Sequence, residues 1–288
     1  MIDEAAEEIA DMQTHSSSVV AVKAARALRK LAEREFPTVE SFLQTLERNS
    51  DVLRRANPSH ASLHNTQREV VAAVEKADPD SVEAAQKRTL EAVERVVDRV
   101  EAGKQRAAEA AASLLADDET VLTHDYSTTV LSALERAVET GASFTVYVTE
   151  ARPRHLGRKM ARRLAEIDAV EVHLAVDSAS GHYLPECDRV VVGMDCIVED
   201  SLYNRVGTYP IVAAAADVGV PVTVVGSAAK LVDSGFAFEN EHRAASEVML
   251  EPADGFEVDN PAYDETPTRL LDSVVTGQGV ERVREGPS

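Results

Sequence analysis

Phe144-Thr145-Val146-Tyr147-Val148-Thr149, ending on Glu150, is a short aromatic and β-branched run of the kind that packs on a pleated surface. It is flanked by others of the same make. Val121-Leu122-Thr123, Val170 to Val176, Val190 to Val192 and Val222 to Val225 recur through the second half of the chain, separated by stretches with helical spacing. Continuous apolar strands that alternate with amphipathic helices must be covered on both faces, which is the pattern of a doubly wound parallel sheet. Leu270 to Thr276 reads as a last strand, and the polar tail from Gln278 is expected to be mobile.

Upstream of Thr120 the pattern differs. Apolar residues there recur every three or four positions, and Ala, Glu and Arg dominate up to Asp117. Asp78-Pro79-Asp80 breaks one helix and starts the next, which carries Leu90, Val93, Val97 and Val100 on one face. That stripe suits either a dimer seam or packing within the chain, and it has too few heptads for a coiled coil. The fold class read here is α/β: a helical domain over residues 1–117, then a Rossmann-like parallel-sheet domain over residues 118–288.

Composition narrows the function classes. No apolar run approaches the roughly 18–20 residues of a membrane span, and Met1 to Met12 is acidic rather than a secretory leader, so a cytoplasmic protein is expected. Only Cys187 and Cys196 occur, too few for a disulfide framework or a cysteine-built zinc site, and reduced thiols are expected. The formal charge of −20 argues against direct nucleic-acid binding, which needs clustered Lys and Arg. With 7 lysines, 23 arginines and 50 acids, the surface resembles one adapted to high salt, although an ordinary acidic cytosolic protein reads similarly.

Ligands of doubly wound sheets bind beyond the carboxyl ends of the strands. Those ends read Thr123-His124-Asp125, Thr149-Glu150, Asp177-Ser178, Gly193-Met194-Asp195 and Gly226-Ser227, so several acids are expected on one rim. Singly, each acid serves equally well as a helix or turn cap. Asn204-Arg205-Val206-Gly207-Thr208 opens a helix whose amides could cradle phosphate, or Gly207 simply permits a tight turn. Arg152, Arg154, Arg158, Lys159, Arg162 and Arg163 suit an anion clamp or a solvated helix face. His124 beside Asp125 suits acid/base work or a structural hydrogen bond. No dinucleotide fingerprint or metal-ligand spacing occurs, so neither a cofactor nor a metal is expected.

Taken in order, Leu122-Thr123-His124 with Ser127, Val146 to Arg152-Pro153, Gly193-Met194-Asp195, Asn204 to Thr208 and Asn260-Pro261-Ala262-Tyr263-Asp264-Glu265-Thr266-Pro267 resemble one superfamily. It holds the alpha, beta and delta subunits of translation initiation factor 2B, methylthioribose-1-phosphate isomerase and ribose-1,5-bisphosphate isomerase. The resemblance covers most of Thr120 to Gly279 and, more weakly, Met12 to Leu28. It implies a sugar-phosphate-isomerase-type fold and a homodimer, with initiation factor 2 as an implied partner.

The isomerases resembled use a cysteine and an aspartate for proton movement and arginines for phosphate. The resemblance places Asp125 where their cysteine stands, matches Asp195 to their aspartate, and matches Asn204 and Arg205 to their substrate-contacting Asn-Lys. Where they carry Arg-Gly and an arginine before Pro, this chain has His15-Ser16 and Asn57-Pro58. Losing two such contacts costs several kcal/mol, at about 1.5–3 kcal/mol per charge-assisted hydrogen bond. The expectation that follows is a factor 2B-like regulatory protein that binds a phosphorylated metabolite through His124, Asn204, Arg205, Gly207 and Thr208. The alternative is a divergent isomerase of ribose 1,5-bisphosphate or a related sugar phosphate, with Asp195 and Asp125 or His124 moving protons.

Overall fold

The computed structural model describes residues 2–11, 17–232, 236–251 and 254–283. The chain divides into two compact units: Met1–Gly103 with Ala229–Glu239, and Lys104–Ala228 with Asn240–Ser288. The first is built from α1 (Ile2–Asp11), α2 (Ser17–Leu28), α3 (Val39–Ala56), α4 (Ala61–Glu75) and most of α5 (Val82–Ala112), whose last turns belong to the second unit. Helix α3 starts in a capping box, in which the Thr38 hydroxyl accepts from the Ser41 amide at 3.1 Å and the Ser41 hydroxyl accepts from the Thr38 amide at 3.3 Å. Asp78, with φ 43°, turns the chain between α4 and α5. Val93, Val97 and Val100 are buried in one hydrophobic cluster with Phe42, Leu46 and Leu53, so these three stripe residues pack within the chain, while Leu90 is half-buried and outside that cluster. His15 and Ser16 lie outside the described residues. Asn57 is buried, and its side-chain Oδ1 accepts from the Ser59 hydroxyl at 3.0 Å.

The second unit alternates strand and helix: β1 (Glu119–His124), α6 (Thr128–Glu139), β2 (Phe144–Thr149), α7 (Gly157–Leu164), β3 (Val170–Ala175), the single turn α8 (Ser180–Tyr183) and β4 (Arg189–Gly193). Next come β5 (Cys196–Val198), β6 (Ser201–Arg205), α9 (Thr208–Val218) and β7 (Val222–Val225). A short strand, β8 (Leu231–Val232), belongs to the helical unit, where the Asn65 amide donates to the Ala229 and Leu231 carbonyls at 3.0 and 3.1 Å. The chain closes with β9 (Tyr263–Pro267), β10 (Ser273–Thr276) and β11 (Gly279–Arg282).

The main sheet has the order β11-β10-β7-β4-β1-β2-β3. Its pairs are parallel except for β10 with β11. The α/β reading of the sequence therefore holds, with two additions. Gly279–Arg282 is not loose tail but a strand that folds back on β10, with Gly279 at φ 127° taking the turn, and the rest of the expected tail, residues 284–288, lies outside the described residues. Strands β5, β6 and β9 form an antiparallel set, with Tyr203 opposite both Cys196 and Glu265. The core is continuous: Val121, Val146, Val148 and Val191 of the sheet pack with Val130 and Leu134 of α6 and Met160 and Leu164 of α7.

Candidate functional site

Strand order reverses between β1 and β4: β2 and β3 lie to one side, β7 and β10 to the other. Such a reversal leaves a crevice beyond the carboxyl ends of the two central strands. Asp125 follows β1 and Asp195 follows β4, so both carboxylates are delivered to that crevice by the topology alone. Asp125 takes a left-handed backbone, φ 63°, a conformation that Asp tolerates better than most side chains.

Arg205, the last residue of β6, brings the two acids together. Its Nε lies 3.6 Å from Asp125 Oδ2 and 3.8 Å from Asp195 Oδ2, and its guanidinium sits 4.7 Å from the centre of the Tyr263 ring. All three charged side chains are buried to a similar degree, 12–14% exposed. Burial pushes the Asp125 carboxyl above the ordinary carboxylate range, and Asp195 pushes the same way; Arg205 and His124 oppose the shift without cancelling it. Burial works against the Arg205 charge, yet Asp195, Tyr263 and Asp125 outweigh it and hold the guanidinium charged. Two ionised carboxylates facing one guanidinium carry a net negative charge.

The other residues selected from the sequence frame this group. His124 is buried, with Nε2 2.9 Å from the Val206 carbonyl and Nδ1 2.6 Å from the Thr149 hydroxyl. Because a carbonyl can only accept, Nε2 carries the hydrogen. Asn204 donates to the Thr208 hydroxyl at 3.0 Å, and that hydroxyl donates to the Arg205 carbonyl at 2.7 Å. Gly207 has φ 105°, and a Cβ there would lie 2.7 Å from the His124 ring, so both backbone and space require glycine. The cradle expected at the start of α9 already holds an anion: Asp264 accepts from the Gly207 and Tyr209 amides at 2.7 and 3.0 Å. His124, Asn204, Gly207 and Thr208 thus brace the loop from which Arg205 projects.

Of the remaining strand-end acids, Asp177 accepts from the Ala151 and Arg152 amides, each at 2.7 Å. Glu150 accepts from Arg158 at 2.7 Å, which with His155 lowers its pKa. The basic stretch splits. Arg158 holds Glu150, Lys159 lies over the Tyr126 ring at 4.3 Å, and Arg163 pairs with Glu166. Arg152 and Arg154 instead line a cleft together with Asp125, Arg205 and Arg243.

This cleft opens to solvent, with Ala151, Pro153, Leu156 and Pro261 also lining it. Segment 240–244 supplies Arg243, held by pairing with segment 260–262: Arg243 donates its amide to the Asn260 carbonyl at 2.9 Å, and Ala262 donates to the Glu241 carbonyl at 2.8 Å. Sequence reading passed over Arg243 because it stands in irregular chain; the one signal was its setting between Glu241 and Glu247, both of which it binds. The assembled site presents guanidinium groups of a kind that suits an anionic ligand and two carboxylates of a kind that suits proton transfer.

The family model described as the initiation factor 2 subunit family matches residues 13–282. A ribose 1,5-bisphosphate isomerase of Haloterrigena turkmenica is 34% identical over 95% of this chain and 88% of its own. The Haloferax volcanii protein of the same name is 33% identical over 95% and 86%. Among solved structures, a translation initiation factor eIF-2B of Pyrococcus horikoshii superposes with a TM-score of 0.79 at 25% identity, covering 98% of this chain and 97% of its own. A family match spanning nearly the whole chain means that this chain belongs to the initiation factor 2 subunit family.

Proposed function

We propose that the chain is an aldose–ketose isomerase acting on a phosphorylated pentose, with ribose 1,5-bisphosphate as its substrate. One observation carries the reading: Asp125 and Asp195 share Arg205 at the strand-order reversal, and Asp125 is biased towards its protonated form. The relatives of that name among the most similar proteins support the substrate. This reverses the order of preference drawn from sequence, where Asp125 in place of a thiol favoured a regulatory role.

A sugar phosphorylated on O1 is closed as a ring and has no free carbonyl, so isomerisation needs an acid as well as a base. Protonated Asp125 gives its proton to the ring oxygen O4 as the C1–O4 bond breaks. The hydrogen on C2 moves to C1 with its electron pair, while the proton of the C2 hydroxyl passes to Asp195, leaving a ketone at C2. One proton is given and one taken, so substrate and product are isomers, and proton exchange through the pair restores the starting state. Arg205 balances the carboxylate charge throughout.

The test is turnover of ribose 1,5-bisphosphate by the purified chain in high salt beside Asp195→Asn. Turnover that falls by about 10²-fold or more in the variant is expected, the usual range for a lost proton-transfer group. A factor 2B-like binding role, favoured by the carboxylate at position 125, forecasts ligand binding without turnover.

A further inference from the structure

We infer that Thr149 is a positioning residue for the proposed reaction: its hydroxyl completes a clamp in which the His124 ring holds the Val206 carbonyl, and with it the backbone that carries Arg205 between Asp125 and Asp195. The clamp is read from geometry alone, and its bearing on turnover rests on the isomerase reading above.

The parallel register of β1 and β2 sets His124 opposite Thr149, each the last residue of its strand. Thr149 is fully buried and His124 nearly so. The branched Cβ of Thr149 keeps its hydroxyl aimed, since few rotamers are open to it. The ring is sandwiched between two contacts: Nδ1 stands 2.6 Å from the Thr149 Oγ1 and Nε2 stands 2.9 Å from the Val206 carbonyl oxygen. It has no room to turn, because even a Cβ on Gly207 would lie 2.7 Å from its Cε1.

The freedom left to a neutral ring is the choice of nitrogen that carries the hydrogen. The Val206 carbonyl only accepts, so Nε2 must donate, and Nδ1 must then accept from the Thr149 hydroxyl. That hydroxyl has the Thr123 carbonyl as an alternative acceptor, but at 3.4 Å, a much longer contact. Asp177 pulls the other way: its Oδ1 is 3.9 Å from Nδ1 and favours a hydrogen there. In that tautomer the Nε2 lone pair would face the Val206 oxygen with no hydrogen between them, and the clamp would open. Removing the Thr149 hydroxyl leaves Nδ1 a buried acceptor without its donor, which penalises the closed form and leaves Asp177 unopposed.

The clamp matters because Arg205 is not locked to its carboxylates. Its Nε lies 3.6 and 3.8 Å from them, beyond hydrogen-bonding distance, so the backbone sets where its charge falls. Two successive carbonyls fix that backbone: the Arg205 carbonyl accepts from the Thr208 hydroxyl at 2.7 Å, and the Val206 carbonyl accepts from His124.

The experiment joins a spectrum to kinetics on the full chain. Histidine ¹⁵N spectra at about pH 8, above the ordinary imidazole pKa, report which ring nitrogen carries hydrogen, with His124 assigned by its loss in His124→Gln. Turnover of ribose 1,5-bisphosphate is measured for the wild type, Thr149→Val and Thr149→Ser. The wild type should show hydrogen on Nε2 and a hydrogen-bonded Nδ1. Thr149→Val, which keeps the shape and loses the hydroxyl, should lose that Nδ1 signature and about 10-fold in kcat, the size of one hydrogen bond, with KM within about 2-fold. Thr149→Ser should restore both. Hydrogen on Nδ1 in the wild type overturns the inference, and the wild-type spectrum decides the matter if Thr149→Val does not fold. An unchanged kcat in Thr149→Val, or a Ser variant as impaired as Val, overturns it as well. A wild type without turnover that still shows the Nε2 hydrogen and its dependence on Thr149 removes the isomerase reading and leaves the clamp assigned.

Discussion

Asp125 combines a left-handed backbone, near-complete burial and a partner shared with Asp195, and each feature bears on what it does. Its raised pKa means that the folded chain holds a proton which the unfolded chain gives up. This stabilising contribution is fully present below the ordinary carboxylate pKa and is lost as pH rises through the raised folded value. Asp125→Asn should therefore flatten that part of the stability profile and raise the unfolding midpoint at neutral pH, measured by thermal melts across pH. The same variant should lose turnover by about 10²-fold or more, the size of a missing general acid. A variant that is less stable at neutral pH, or that keeps its turnover, would contradict the role given to Asp125. Asp125, Asp195 and Arg205 were legible in the sequence because each stands at or just beyond a strand end or opens a helix. Arg243 was not, since no periodicity marks its segment. For Arg154, sequence favoured a solvated helix face over an anion clamp, and only the start of α7 at Gly157 separates it from the helix-face residues that follow.

Helix α7 approaches β2 so closely that a Cβ on Gly157 would sit 1.9 Å from the Thr149 carbonyl oxygen. Gly157→Ala must push the helix away, and a loss of at least about 1–3 kcal/mol in urea unfolding is expected from overpacking against backbone. A neutral effect would mean that the helix start is not where the structure places it. At α9, Asp264 does what a capping side chain does, though it comes from β9. Asp264→Ala should cost about 0.5–2 kcal/mol of stability by the same measurement; no change would show that water replaces it freely. The parallel strands were readable from their apolar runs: β1, β4 and β7 are buried along nearly their whole length, which leaves no polar alternation to confuse, whereas β3 was readable at the sheet edge although Leu174 and Val176 are exposed. Strands β5, β6 and β9 were not, because Ser201-Leu202-Tyr203-Asn204-Arg205 and Tyr263-Asp264-Glu265-Thr266-Pro267 are short and polar, and their pairing is recorded only in three dimensions.

Across the whole molecule, 50 acidic residues against 30 basic ones leave a formal charge of −20. Repulsion among them is screened over about 8 Å at physiological salt and about 3 Å at 1 M, so the folded state should gain stability with added salt. Thermal midpoints that rise from low to molar salt are expected, and midpoints that stay level would show that the acids are already paired locally. The division into a helical part and an α/β part was legible because the hydrophobic period changes near Thr120, and the observed division falls inside α5, which no change of composition marks. Function was less legible than fold: the carboxylate at position 125, together with His15-Ser16 and Asn57-Pro58 where the isomerases resembled carry arginines, tilted the sequence reading towards regulation, whereas the proposed chemistry starts from the carboxylates and arginines that the cleft brings together.

The most direct test of that conclusion is conversion of ribose 1,5-bisphosphate to the corresponding ketose bisphosphate by the purified chain, followed by product analysis beside Asp195→Asn. The account predicts ketose formation by the wild type and its near abolition in the variant; saturable binding of the sugar with no ketose formed would contradict it.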